Sequence, residues 1–368
     1  MFKETFHNEK VFITGHTGFQ GTWLSLWLNS LGAKVIGYSL DPPTRPSLFE
    51  IVSLKKDITH IKGDVRDPAH LSDSLRMHKP KFVFHLAAQS LVRLSYEKPV
   101  ETFQTNVIGT LNILEKIRKI PTVKSCIIMT SDKCYENREW VYPYRENDAL
   151  GGSDPYSASK GAAELVTSAY RRSFFENSTE KHKISVASIR AGNVIGGGDW
   201  AKDRIIPDCV NSLTHDKKID VRNPNAIRPW QHVLEPLSGL LWLSTMMIEN
   251  PTKYSGPWNF GPNLSSSNVM VKDIVSKVII NWGEGKWKPI PRKYRSKYHE
   301  SNHLRLDSTK AANMLLWSPV YSLDETISET ISWYKNYSEK NIDMKKFTLE
   351  QIESYSKKAK EMNVIWAN

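Results

Sequence analysis

Cysteine is scarce in this chain: Cys126, Cys134 and Cys209 are the only three in 368 residues. They sit far apart, without the close spacing of a zinc site, so neither a disulfide framework nor a structural metal is expected. A reducing cytoplasm is the simplest compartment. No apolar run approaches the length of a bilayer crossing. The opening Met1–Lys10 is polar and lacks an apolar signal core, so secretion is not expected. Internal repeats and low-complexity segments are missing too. So is a dense basic cluster, although Lys and Arg outnumber Asp and Glu by 50 to 39. The nearest, Lys357-Lys358-Ala359-Lys360, reads as a solvated helix face. A positive balance suits an anionic partner, whether nucleic acid, anionic lipid or a phosphorylated small molecule. With no cluster to carry the charge, nucleic acid and membrane partners are not expected. His85 and His232 have no partner ligands at helical or hairpin spacing, so they read as structural and no metal is expected.

What the chain does have is alternation. Apolar, strand-like runs at Lys10–Thr14, Lys34–Ser39, Ile58–Lys62, Phe82–Ala87, Ser125–Thr130 and Ile184–Ile189 are separated by helical periodicity at Thr22–Leu31, Pro68–His78, Val100–Ile117 and Pro155–Phe175. Runs without a polar face mark strands buried on both sides of a parallel sheet. Their alternation with helices predicts a doubly wound α/β sheet. Beyond Arg190 the pattern breaks: Gly196-Gly197-Gly198-Asp199-Trp200 and Asn223-Pro224-Asn225 interrupt shorter elements around one long apolar stretch, Val233–Ile248. The length allows two domains at about 150 residues each. The second half reads as a smaller, irregular lobe folded on the sheet, followed from Glu339 by a polar helical tail.

The first strand runs into Thr14-Gly15-His16-Thr17-Gly18-Phe19-Gln20-Gly21, with its glycines three apart, and then into a helix. Gly15 suits the tight turn, Gly18 the close approach of a pyrophosphate, and Gly21 the packing of helix on sheet. Exposed amides at the helix start, around Thr17, Phe19 and Gln20, favour an anion. The strand before and the helix after make the pattern a dinucleotide signature. Asp41 lies twenty residues past Gly21, a spacing suited to bonding the adenosine ribose hydroxyls and repelling a 2′-phosphate, which favours NAD. Its place before Pro42-Pro43 also suits a turn, and Arg45 close by leaves NADP open. Asp64 and Val65, after the third strand, suit either an adenine contact or a helix cap.

Tyr156-Ser157-Ala158-Ser159-Lys160 opens a helix just after Pro155. The spacing of four puts Tyr156 and Lys160 on one helical face. An ammonium there is expected to lower the phenol pKa. The phenolate can then take the proton of an alcohol as hydride leaves for nicotinamide. Alone, such a pair is commonplace on surfaces; with the glycine turn upstream it is specific.

The glycine turn, Leu86-Ala87-Ala88-Gln89, Asn106 and the Tyr156/Lys160 pair together resemble the extended short-chain dehydrogenase/reductase family, from about Val11 to the Leu323 region. The resemblance implies that these segments bind the cofactor, that Lys160 also holds the nicotinamide ribose, and that Ser131, at the end of the fifth strand, completes a triad. Asp132 and Lys133 discriminate within the family. Sugar-nucleotide 4,6-dehydratases carry an acid/base pair there because they also remove water; epimerases do not. By resemblance Asp132 is the acid that protonates the departing carbon-6 hydroxyl. Lys133 stands where the commoner dehydratases have Glu, and a Lys there is similar to the CDP-glucose branch. It serves as the carbon-5 base if neighbours such as Lys160 lower its pKa, or it only orients Asp132 or the substrate. Cys134 reads as a small apolar residue rather than a reactive thiol.

Asn193, in Arg190-Ala191-Gly192-Asn193-Val194-Ile195-Gly196, is similar to the family's Asn beside the substrate diphosphate. Arg228, in Arg228-Pro229-Trp230-Gln231-His232-Val233, is similar to its phosphate-binding Arg. Arg204 reads either as a second diphosphate ligand or as a surface ion-pair partner; guanidinium supplies the paired donors that phosphate takes. The run His16–Leu24, the Arg228 run and Trp317-Ser318-Pro319-Val320-Tyr321 resemble the CDP-glucose branch in particular. The resemblance implies an NAD-dependent lyase that turns CDP-glucose into CDP-4-keto-6-deoxyglucose, feeding deoxysugar and lipopolysaccharide O-antigen synthesis. A sugar-nucleotide epimerase or reductase of the same fold is the rival. The expected organisation is a Rossmann-type NAD-binding domain over residues 1–190, with part of the later chain returning to it, a nucleotide-sugar lobe over 191–340 and a polar helical tail over 341–368. By family analogy the chain forms a homodimer, or a tetramer, through the helices Val100–Ile117 and Pro155–Phe175.

Overall fold

The computed structural model describes residues 1–176, 183–263, 268–291, 303–340 and 342–368. Strand β1 (Lys10–Thr14) lies inside the central sheet. Its apolar run is two-sided: Val11 and Ile13 belong to one buried cluster and Phe12 to another. The strands β2 (Lys34–Ser39), β4 (Phe82–His85), β5 (Ser125–Met129) and β6 (Ser185–Arg190) alternate in the same way. Val35, Phe84, Ile127 and Ala187 face the first cluster, and Ile36, Val83, Ile128 and Val186 the second. Both faces are therefore covered, which is why the sequence showed continuous apolar runs rather than alternation. With β3 (Thr59–Lys62) and the strand Gly256–Asn259 they form a seven-stranded sheet in the order Gly256–Asn259, β6, β5, β4, β1, β2, β3. Every neighbouring pair in it is parallel. This is the doubly wound, Rossmann-type sheet expected of the sequence.

The chain winds outward from β1 to β3 and then returns to the other side of β1 as β4. The crevice at the carboxyl ends of strands flanking such a reversal is where open α/β sheets bind ligands. Helix α1 (Phe19–Ser30) leaves that crevice and buries Trp23, Leu24, Trp27 and Leu28 against the sheet. The helix Pro68–His78 begins at the expected residue because Asp67 caps it, accepting from the amides of Ala69 at 3.0 Å and His70 at 3.1 Å. Two long helices expected of the sequence are each interrupted by a widened π turn. One is Gln104–Ile108, between Pro99–Phe103 and Gly109–Ile117; the other is Arg171–Phe175, after Pro155–Tyr170. Such turns recur at functional positions, and the first carries Asn106.

The helix Leu234–Glu249 is apolar on every side and almost wholly buried, which is its reason for lacking a polar face in sequence. The segment after Glu339 is polar on one side only. Helix Met344–Glu361 buries Ile352, Tyr355 and Ala359. Beyond it, Trp366 stacks on Phe2, with centroids 5.0 Å apart and planes 6° apart, and on Tyr355 at 5.7 Å. The Tyr355 hydroxyl donates to Glu235 Oε2 at 2.7 Å, and Glu235 Oε1 accepts from the Tyr321 amide at 2.8 Å. Burial pushes the Glu235 carboxyl up to about 7, against these donors.

Candidate active site

The crevice opens into a cavity of about 740 Å³. Its first wall is the glycine turn. Gly15 sits at φ +79°, and the backbone of Ala87 occupies the place of its missing Cβ, 2.7 Å away. A Cβ on Gly21 would stand 2.1 Å from the Gly15 carbonyl, so helix and turn close directly on each other. Gly18 differs: a Cβ there would meet only the Gly15 carbonyl, at 3.4 Å, so its bare Cα faces the cavity. Gly18 is also the N-cap of α1 and no side chain caps that end, which leaves first-turn amides free for an anion. These residues fit a dinucleotide pyrophosphate. Thr17 ties the turn to the end of β2 through Ser39 Oγ at 2.8 Å and the Leu40 carbonyl at 3.0 Å.

Phe19, Gln20, Leu86, Ala87, Ala88 and Gln89 line the same wall, with Asp41, Asp64 and Val65 at the far end. Asp41 is exposed and ion-paired with Lys62 at 2.5 Å. Asp64 is held by Arg66, whose guanidinium reaches Oδ2 at 2.6 Å and whose amide reaches Oδ1 at 2.8 Å. Burial works against the Asp64 charge, but Arg66 outweighs it and keeps the carboxyl below its usual range. Asn106 is the one expected cofactor residue that does not line the cavity. It is buried, accepts from the Gln89 amide at 2.8 Å, and donates to the Gln89 carbonyl at 3.0 Å and to Ser159 Oγ at 2.8 Å. Its contact is thus with the wall segment and the helix Pro155–Tyr170, which it pins together, rather than with the cavity.

Ser131, Asp132, Lys133, Tyr156 and Lys160 meet in the middle of the cavity. Asp154 caps the helix that carries Tyr156 and Lys160, accepting from Ser157 N at 2.9 Å. The lowered phenol pKa expected from the ammonium is not what the site gives. Burial pushes Tyr156 up to about 12, although the Ser131 hydroxyl pulls it down. Lys160 is turned to the Met129 carbonyl at 3.3 Å, and burial lowers its own pKa to about 8. Ser131 accepts from the Lys133 amide at 3.2 Å and donates to Asp132 Oδ1 at 3.0 Å. Burial raises the Asp132 pKa while Lys133, Ser131 and Arg228 draw it down. Burial favours the neutral form of a carboxyl, the form that can give a proton.

Beneath this group lies a buried ion pair. Glu164, on the Tyr156 helix, accepts from Arg190 at 2.7 Å and from Ser188 at 2.7 Å. Burial opposes its charge, but Arg190, Thr130 and Ser188 hold its pKa below the carboxylate range. Arg190 also donates to the Tyr135 hydroxyl at 2.8 Å, which donates to Asn259 at 2.7 Å. The network joins the Tyr156 helix, β6 and the last strand under the Ser131–Cys134 turn. Removing one member leaves the other charge buried and unpaired. Arg190→Ala is therefore expected to destabilise the fold by about 3–5 kcal/mol, read as a fall in the urea midpoint. The double variant with Glu164→Ala should lose less than the sum of the two single losses.

At the lobe end stand Asn193, Arg204 and Arg228. Asn193 takes φ +44°, a left-handed conformation that Asn tolerates better than most residues. Arg204 donates to Asp199 at 2.9 Å and Ser90 at 3.1 Å, so it is an ion-pair partner and a cavity residue together. Arg93 and Arg222 also line this end and share Asp203, at 3.1 Å and 2.6 Å. The sequence reading overlooked both, since Arg93 and Arg222 are brought together only by the fold. Four guanidiniums at one end of a cavity suit a diphosphate. His85 is held by Thr14 at 2.7 Å and Thr110 at 3.2 Å, and His232 packs edge-on to Trp23. Among the described residues no group of three or more His, Cys, Asp or Glu is placed to hold a metal.

Comparison with known proteins agrees with this geometry. The family model described as GDP-mannose 4,6 dehydratase matches residues 12–330. The chain is 50% identical over 335 residues to a CDP-glucose 4,6-dehydratase of Salmonella typhimurium, covering 90% of this chain and 92% of that one. It is 25% identical to a dTDP-glucose 4,6-dehydratase of Xanthomonas campestris, covering 88% and 92%. A dTDP-glucose 4,6-dehydratase of Streptomyces venezuelae, solved with NAD bound, superposes with a TM-score of 0.76 at 21% identity over 89% of this chain and 97% of that one. A UDP-glucose 4-epimerase of Thermotoga maritima, solved with UDP-glucose, gives 0.72 at 22% identity over 89% and 99%. The last two likenesses establish the fold, and the match to residues 12–330 together with the half-identical relative establishes more: this chain belongs to the GDP-mannose 4,6 dehydratase family.

Proposed function

We propose that the chain binds NAD and CDP-glucose and converts the sugar nucleotide to CDP-4-keto-6-deoxyglucose, as a hydro-lyase whose cofactor is restored in each turnover. The observation that carries this reading is the placement of Asp132 and Lys133 in the cavity, on the turn that begins at Ser131 and beside Tyr156. A site that only oxidises and reduces has no use for an added acid and base. NAD held by the glycine turn and the Leu86–Gln89 wall would supply the hydride acceptor for carbon 4, the hydride donor for carbon 6 and, when oxidised, a positive ring that favours the Tyr156 phenolate.

Tyr156 takes the proton of the carbon-4 hydroxyl, with Ser131 and Lys160 holding it. The ketone so formed acidifies carbon 5. Lys133, in its neutral form, takes the carbon-5 proton and returns it to carbon 5 as hydride reaches carbon 6, and Asp132 gives its proton to the carbon-6 hydroxyl, which leaves as water. Asn193, Arg204 and Arg228 hold the diphosphate, joined by Arg93 and Arg222. In this division residues 1–190 hold the cofactor and 191–340 the nucleotide sugar, with the helix Met344–Glu361 bracing the first. The relative that is 50% identical supports cytosine as the base.

Val100, Phe103 and Ile108 on one helical stretch, and Leu165 and Phe174 on the next, are exposed apolar residues. A second copy covering them fits a homodimer, or a tetramer built from it. Three buried free thiols suit the cytoplasm. Among the described residues no helix is long and apolar enough to cross a membrane. The product suits deoxysugar synthesis for O-antigen.

The test is incubation with CDP-glucose beside dTDP-, UDP- and GDP-sugars, with the alkali-induced absorbance of a keto sugar as readout. Only CDP-glucose is expected to give it at full rate; equal turnover of dTDP-glucose would remove the base assignment. Asp132→Asn is expected to cut product formation by about 100-fold or more while NAD stays bound. Normal product formation by that variant would remove Asp132 as the acid.

A further inference from the structure

Two residues after β6 the backbone passes close beneath Asp132. A Cβ on Gly192 would stand 1.9 Å from Asp132 Oδ2 and 2.1 Å from its Cγ, and the three atoms nearest that missing side chain all belong to Asp132. Neither residue has room to retreat. Asp132 is buried, its amide donates to the Ala191 carbonyl at 3.3 Å, and its Oδ1 is held by Ser131 Oγ at 3.0 Å. The Gly192 carbonyl accepts from Gln231 Nε2 at 3.3 Å, and the same nitrogen donates to the Phe260 carbonyl at 2.9 Å. Oδ2, the oxygen over the bare Cα, has no hydrogen-bond partner among the described residues. It is buried, and the space it fills exists because residue 192 has no side chain.

We propose that Gly192 is a positioning residue for the dehydration step: the absence of its side chain leaves the space in which the Asp132 carboxyl stands, and so sets the aim of the acid. The proposal rests on the dehydratase reading above. In that step the carbon-6 to oxygen bond breaks, the Asp132 proton joins the leaving oxygen to make water, the carbon-5 to hydrogen pair becomes the carbon-5 to carbon-6 double bond, and the carbon-5 proton passes to the base. A methyl at 192 turns the carboxyl away. It leaves Tyr156 and Lys160 untouched, so oxidation at carbon 4 continues.

The experiment compares the wild type, Asp132→Asn and Gly192→Ala, each loaded with NAD and mixed with CDP-glucose. Absorbance of reduced nicotinamide reports oxidation at carbon 4, and the alkali-induced keto-sugar signal reports dehydration. Gly192→Ala is expected to keep the first within about threefold and to lose the second by about 100-fold or more, as Asp132→Asn does. Adding Gly192→Ala to Asp132→Asn should cost little more, since both act through one carboxyl. Wild-type dehydration by Gly192→Ala alongside a disabled Asp132→Asn overturns the role of Gly192 and leaves that of Asp132 standing. Wild-type dehydration by Asp132→Asn overturns both. If Gly192→Ala does not fold, the Gly192→Ala/Asp132→Ala variant, which lacks the colliding carboxyl, must recover folding; failure to recover overturns the proposal.

Discussion

Tyr156→Phe is expected to lower turnover of CDP-glucose by about 100- to 10,000-fold while NAD binding is retained. Phenylalanine keeps the ring that packs at the start of the helix Pro155–Tyr170 and removes only the oxygen. In the protein without ligands that oxygen is a poor base, since burial pushes the phenol up to about 12. The ionised form therefore has to be made by what binds next to it. Lys160, lowered to about 8 by burial, still carries its proton at pH 7 and adds one of the charges needed. The expected signature is a loss in kcat with little change in cofactor affinity, because the proton leaves the sugar only as the carbon–hydrogen bond breaks. Stopped-flow absorbance of reduced nicotinamide checks it directly. A variant oxidising CDP-glucose within about threefold of the wild type would remove Tyr156 from the chemistry.

Acidification from pH 7 to pH 4.5 is expected to cost the fold about 3 kcal/mol, a large share of the stability of many domains. Three histidines carry the effect. His16, His85 and His232 are each lowered to about 3 by burial. Unfolding releases them to an ordinary value near 6.5, so below that pH the unfolded chain binds more protons than the folded one and stability falls as pH falls. Each contributes a loss of roughly 2–3 kcal/mol by pH 4.5. Glu235 acts in the opposite sense. Its folded pKa is raised to about 7 by burial, so its contribution is present at low pH and is lost as pH rises through 7; acidification returns about 2–3 kcal/mol, and Asp208, raised to about 6 by burial, returns about 2 more. Urea titrations at several pH values give the slope. His232→Phe should remove about a third of the histidine effect, at the loss of one long hydrogen bond, that from the Leu234 amide to Nδ1 at 3.4 Å. An unchanged acid slope in that variant would show that His232 stays neutral in the unfolded chain or is charged in the folded one.

The parts of this molecule legible in sequence are those whose cause is local. Strand β1, the glycine turn and α1 follow one another within residues 10–30, and Gly15 and Gly21 answer close contacts with the segment after β4 and with the turn itself, while Gly18 faces the cavity. The Tyr156/Lys160 spacing is likewise a property of one helix. The phenol pKa was not legible, because it depends on how deeply the finished cavity buries Tyr156. Nor was the part played by Asn106, whose partners Gln89 and Ser159 lie on separate elements. Arg93 and Arg222 become neighbours only when the lobe brings Asp203 between them. Gly192 looked like one glycine among several after β6, and its reason is a carboxyl on the neighbouring strand's turn. The helix Met344–Glu361 read as polar because its buried residues are few and spaced by lysines and serines. Its anchor, Trp366, lies beyond the helix itself.

The stacking of Phe2 on Trp366 has a bearing on how the molecule is made. Synthesis runs from residue 2 towards residue 366, so the ring of Phe2 waits for a partner made more than 300 residues later before it is covered. Until then the surface that Phe2, Trp27 and Tyr355 will share is left open on the nascent sheet. Consolidation is thus a late step, since contacts of such long sequence separation form slowly. During that interval a chaperone has an exposed aromatic patch to hold.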